Sequence, residues 1–149
     1  MLNLSIAALL ILAAAVYIAR PDRLTIVDAD SGRVYAKWPI KSGEEFGIEF
    51  IHSVNNSPVL ETFVAEGSSI RAVRTRFYSY GAGMPTELEA GQVLSRDGEA
   101  LVISGFSAVY RELNYIVGTV SDHILTIREE SVSLRDLCGR NAHIRILVR

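Results

Sequence analysis

From Leu2 to Ala19 the chain reads LNLSIAALLILAAAVYIA, eighteen residues without a charged side chain. As a helix this run extends about 27 Å at roughly 1.5 Å per residue, close to the ~30 Å of a hydrocarbon core. Arg20, Pro21, Asp22 and Arg23 end it abruptly. A small soluble domain has no use for so uniformly apolar a helix. Two fates are open to such a segment. A cleaved secretory signal fits Ala13 and Ala15 as an AxA-like site, with Ala19 as another. Against it, no Lys or Arg precedes the run, and the run exceeds the roughly 7–15 residues usual for a signal's apolar region. The expectation is an uncleaved anchor over residues 1–20 lying in the lipid bilayer. Its small residues Ser5, Ala8, Ala13, Ala14 and Ala15 suit close packing against other membrane helices. Arg20 and Arg23 on its C-terminal side would by themselves place the following domain in the cytoplasm.

After Arg23 the helical pattern stops, and short β-rich runs alternate with turn residues. The runs are Leu24–Ala29, Val34–Trp38, Phe46–Val54, Val59–Ala65, Ile70–Tyr78, Ala100–Ser104, Ile116–Val120, His123–Arg128 and His143–Val148. Asp30-Ser31-Gly32 and Arg96-Asp97-Gly98 mark tight turns. This spacing predicts an all-β domain over residues 21–149, a small β-sandwich or barrel. The net charge of -2 provides no basic footprint for nucleic acid. Cys138, the single cysteine, excludes an internal disulfide and a cysteine-rich metal site, and reads as a small core residue.

The most informative stretch is Phe46 to Glu61. Phe46, Ile48, Phe50, His52 and Val54 share one strand face, and Val59, Glu61, Phe63 and Ala65 share a face of the next. A hairpin with Asn55-Asn56-Ser57-Pro58 as its loop pairs Val54 with Val59. It then sets His52 opposite Glu61 and Phe50 opposite Phe63. Directly opposed Cβ atoms lie about 4.5–5.5 Å apart, so an inner-face His–Glu pair is expected. A buried carboxylate needs such a partner. The pair either fixes strand register or lines a pocket for a ligand, partner or metal. Ser53 points to the opposite face, and no nucleophile is placed for catalysis. His123 and His143 are candidate third ligands for a metal, each read as an ordinary strand histidine. Further along, Ser79-Tyr80-Gly81-Ala82-Gly83-Met84-Pro85 has glycines at alternate positions. It is either an irregular connection or a nest of backbone N–H groups for an anion, with Arg74 and Arg76 just upstream.

These residues carry a resemblance. "FIHSV…SPVLETF" followed by "TRFYSYGAGMP" resembles the family called domain of unknown function 1850. The likeness extends to "LTIVDADSGRVYAKWPIKSGEEFGIEF", "DGEALVISG" and "HIRILV". It places His52, Ser53, Val54, Pro58, Val59 and Glu61 on the first motif, and Phe77, Gly81, Ala82, Gly83 and Pro85 on the second. Between Val54 and Pro58 the family is charged or polar, and here the chain has Asn55-Asn56-Ser57. The resemblance implies no activity and no cofactor. It implies company: such proteins are similar to those encoded beside TRAP transporters of the TAXI type, which pair a multi-helix permease with an extracytoplasmic solute-binding protein. A small membrane-anchored accessory subunit is the role implied, with the β domain in the periplasm, against the arginine cue. The alternative is a free-standing periplasmic ligand- or metal-binding domain. The residues expected to form an interaction or pocket surface are His52, Ser53, Pro58, Glu61, Arg76, Tyr80, Gly81, Gly83 and Pro85.

Overall fold

The structure, a computed structural model, describes Ile6 and residues 22–80 and 87–149. The expected anchor lies almost wholly outside the described residues, and no helix among them is long and apolar enough to cross a membrane. Twelve strands are described, β1 (Arg23–Asp28), β2 (Val34–Pro39), β3 (Glu45–Ile51), β4 (Pro58–Glu66), β5 (Ser69–Phe77), β6 (Val93–Asp97), β7 (Ala100–Ser104), β8 (Val109–Tyr110), β9 (Glu112–Ile116), β10 (His123–Ile127), β11 (Glu130–Ser133) and β12 (His143–Val148). One short helix, α1 (Leu134–Cys138), interrupts them.

The strands form two sheets. One has the order β2-β1-β12-β9, the other β11-β10-β3-β4-β5-β7-β6, with β8 also pairing along β5. Period-2 alternation explains how they meet. Leu24 and Ile26 of β1, with Ile144, Ile146 and Val148 of β12, turn toward Phe46 and Ile48 of β3 and Phe63 and Ala65 of β4. Each of these Leu, Ile, Val and Phe side chains taken out of water contributes about 1.5–3 kcal/mol. A smaller cluster, Val59, Phe77, Leu101 and Ile103, continues the apolar face across β4, β5 and β7. The fold is an all-β sandwich. At the β2 edge, Trp38 Nε1 donates to Glu130 Oε2 at 3.0 Å, and Arg128 donates to the Pro39 carbonyl at 2.7 Å. Cys138 packs half-buried against the core, which pushes its thiol pKa up to about 11.

Three expectations need correction. The run Ile116–Val120 is not a strand; β9 ends at Ile116 and the chain leaves in a loop. The helix α1 was not anticipated, yet its local signals are present: Ser133 caps it by accepting from the Asp136 N–H at 3.0 Å, and Gly139 follows its last residue. The third correction concerns the β3–β4 hairpin. Phe50 faces Val59, Phe46 faces Phe63, and Ile48 faces Glu61. Phe50 thus meets Val59 instead of Phe63, a slip of four residues along β4. An even slip keeps every inner residue on the inner face, so alternation fixes the faces of the hairpin and leaves its register open. His52 lies beyond the end of β3 and does not pair with Glu61.

Candidate functional site

Turn chemistry explains why β3 ends early. The loop runs over residues 52–57, between Ile51 and Pro58. Asn55 Oδ1 accepts from the Ser57 N–H at 3.2 Å and from the Ser57 hydroxyl at 2.8 Å. Asn56 takes a φ of 52°, which Asn tolerates better than most side chains. The His52 N–H donates to the Ser57 carbonyl at 2.9 Å, and the Asn56 N–H donates back to the His52 carbonyl at the same distance. His52 Nδ1 accepts from the Val54 N–H at 3.2 Å. The histidine is therefore part of the loop's own architecture.

This loop is held on two sides. Asn55 Nδ2 donates to the Ser79 carbonyl at 3.0 Å, which ties the first sequence motif to the start of the second. On the other side the Ile51 N–H donates to Ser121 Oγ at 3.0 Å. Ser121 belongs to the loop of residues 117–122, itself locked to α1: Asp122 accepts from the Ser133 hydroxyl and from the Arg135 N–H, and Arg135 donates to the Val120 carbonyl at 2.8 Å. Gly118 is required here, since a Cβ at that position would stand 1.9 Å from the Ser121 carbonyl oxygen. The fixed loops present apolar side chains to solvent. Val120 is 93% exposed and Val54 63%, with Ile51, Tyr80 and Ile116 also exposed. A depression of 510 Å³ between the loops is lined by His52, Ser53, Asn56, Val120, Asp122 and Arg135, among others.

Glu61 lies elsewhere, on the inner face of β4. Its partner is Tyr115 of β9, whose hydroxyl donates to Glu61 Oε2 at 2.6 Å across the two sheets. Burial pushes the Glu61 pKa above its ordinary value, and the Tyr115 hydrogen bond opposes that rise in part. Burial, with the carboxylate beside it, raises the Tyr115 pKa as well. The histidine nearer this pair is His123. Its ring meets Tyr115 edge-on at 5.7 Å and Phe50 at 5.2 Å, and burial lowers its pKa. His143 is exposed at the start of β12. Among the described residues no group of three or more His, Cys, Asp or Glu is placed to hold a metal ion.

The remaining expected residues separate. Ser53 and Pro58 are exposed in and beside the 52–57 loop. Arg76 belongs to the opposite face of β5 from Thr75, the cross-strand neighbour of Glu61, and its guanidinium pairs with Asp97 at 3.4 Å. Arg74 pairs with Glu45 at 2.8 Å, so neither arginine is left as an uncompensated anion ligand. Tyr80 packs edge-on against Phe77 at 5.3 Å. Gly81, Gly83 and Pro85 lie outside the described residues. Sequence reasoning missed Tyr115, Ser121 and Val120. A faint signal existed for the first: Leu113 and Tyr115 share parity in β9, and an inward tyrosine hydroxyl needs an acceptor.

Residues 46–134, from β3 to the first residue of α1, match the family model described as Domain of unknown function (DUF1850). The match spans both loops and Glu61. No curated protein and no solved structure matches the chain.

Proposed function

This chain belongs to the DUF1850 family, and we propose that it is a membrane-anchored accessory small subunit of a TAXI-type TRAP transporter. In this reading the Leu2–Ala19 segment packs among permease helices. The β domain stands on the extracytoplasmic side and engages the solute-binding protein, the permease or both.

The observation that carries the reading is the position of the apolar loop end. β12 is antiparallel to both β1 and β9, pairing Leu24 with Val148 and Leu147 with Glu112. Arg23 is thus at the Glu112 end of that sheet, and Ile116 with the 117–122 loop is at the other. The chain enters the domain tightly: Arg23 and Arg149 exchange backbone hydrogen bonds, and the Asp22 carbonyl accepts from the Ile40 N–H at 2.8 Å. The exposed Val54, Val120 and Tyr80 therefore sit about one strand length, roughly 20 Å, from the anchor's attachment point. Exposed apolar groups gathered on loops that hydrogen bonds tie together suit an interaction site. A patch held away from the bilayer suits a soluble partner such as the solute-binding protein.

The test is a gentle detergent extraction of native membranes followed by pull-down on a C-terminal tag. The expected result is a multi-helix permease in stable proportion to the chain. Val120→Asp, on a side chain with little packing to lose, is expected to release the solute-binding protein and leave the permease bound. Recovery of the chain alone from native membranes would overturn the reading. It would favour the second one, a free-standing ligand-binding domain, for which the inter-sheet cleft at Glu61 is the specific observation.

A further inference from the structure

The sandwich is open beside β9. A cleft of 370 Å³ lies where β4 and β5 face the chain through β8 and β9. Its size falls at the low end of small-molecule sites, roughly 300–1,000 Å³. Four aromatic side chains line it, Phe63, Phe106, Tyr110 and Tyr115, together with Glu61, Thr75 and Asn114. Tyr110 is 40% exposed and Asn114 is exposed, so the cleft communicates with solvent.

The charges of this cleft do not balance. Arg74 at its margin is bound by both Glu45 oxygens, at 3.3 and 2.8 Å. Glu112 is paired with Arg145 at 3.4 Å. Glu61 alone among these acids has no cationic partner among the described residues; its one hydrogen bond there comes from a neutral phenol. Oε1 is left to accept. The guanidinium–ring stacks among the described residues are at Tyr35 and Tyr78; Phe63 stacks on Phe46 and Tyr115 meets His123 edge-on, which leaves Phe106 and Tyr110 without a ring or guanidinium contact among the described residues.

We propose that this cleft binds a small organic monocation of the ammonium type, with Glu61 as counter-ion and Phe106, Tyr110 and Tyr115 as the aromatic wall. A carboxylate in a partly desolvated site gains most from a cation that is itself weakly hydrated, and an alkylammonium meets that condition. Aromatic faces attract such a cation through the ring quadrupole within about 6 Å. Thr75 and Asn114 supply a hydroxyl and an amide for a polar substituent on the ligand. Burial raises the Glu61 pKa, and a cation bound beside it would oppose that rise by favouring the carboxylate. The site is separate from the loop end, and its occupancy does not depend on the transporter reading.

The test uses the purified full chain in detergent and two probes of nearly equal shape, choline and its uncharged isostere 3,3-dimethylbutan-1-ol. Calorimetric titration is expected to show choline binding at least about tenfold more tightly than the isostere, as cation–π attraction and an opposed charge require. Glu61→Gln keeps an acceptor for the Tyr115 hydroxyl and should lose about tenfold or more in choline affinity. Should that variant fold poorly, Tyr110→Leu, at a partly exposed ring, should weaken choline several-fold and leave the isostere unchanged. Equal binding of the two probes, unchanged choline affinity in either variant, or no choline binding at millimolar concentration would overturn the proposal. A chain that retains its permease yet ignores choline would sink this inference alone.

Discussion

At the scale of single residues, the informative contrast is between His52 and Glu61. Alternation placed both on one face, and a buried acid does need a partner. The acid is inward, and its partner is Tyr115 from the other sheet. His52 sits in a half-exposed loop and accepts from the Val54 N–H. Loss of that hydrogen bond in His52→Ala is expected to cost about 1 kcal/mol, read by urea denaturation. A loss several times larger would mean that the loop depends on the imidazole as the core depends on Glu61. Tyr115→Phe should cost more, about 1–3 kcal/mol, because it removes the hydrogen bond to a buried carboxyl. Glu61 also sets a pH dependence. Its folded pKa is raised above the ordinary 4.5 by burial, so the folded state keeps a proton that the unfolded chain has released. Stability attributable to this group is full below pH 4.5 and is lost as pH rises through the folded pKa. Glu61→Gln has no such proton to lose. The melting-temperature difference between wild type and this variant should drift against wild type across that window and be level on either side. Parallel melting curves would show that Glu61 titrates alike in both states.

At the scale of elements, loops departed from expectation more than strands. β7 and β12 have the boundaries that alternation predicts, and β1, β2, β4, β5 and β10 differ by a residue or so. β3 is cut short because Asn55 and Asn56 favour a turn and because the Ile51 N–H goes to Ser121. The run Ile116–Val120 looks like a strand by composition. It becomes a loop because Gly118 allows the backbone to approach Ser121 and because Asp122 and Arg135 anchor it to α1. Gly118→Ala should consequently destabilise the domain by about 1–3 kcal/mol, the usual range for overpacking. It should also loosen the grip of Ser121 on Ile51. Faster amide exchange at Ile51 in the variant would show that coupling; unchanged exchange would separate the two loops.

At the scale of the whole molecule, the proposed transporter role requires the domain to stand on the extracytoplasmic side of a membrane. Arg20 and Arg23 by themselves would favour the cytoplasm, against that proposal. An alkaline phosphatase fusion after Arg149 is expected to be active and a fluorescent-protein fusion dark, reporting an extracytoplasmic domain. The reverse pattern would follow the arginines and remove the solute-binding protein as a partner. The amino-acid sequence by itself determined the β class, the inward face of β3 and β4 and the apolar leading segment. These depend on local periodicity and composition, which short windows contain. The motif in "HSVNNSPVLE" was legible too, but its geometry was not. Only the tertiary structure decided the hairpin register, the Tyr115 partner of Glu61, and the gathering of residues 52–57, 79–80 and 117–122 at one end. Each of those depends on contacts between residues far apart in the chain, such as Ile51 with Ser121 and Glu61 with Tyr115. An even register slip leaves every local preference satisfied, so local pattern cannot choose between registers; packing against a second sheet can.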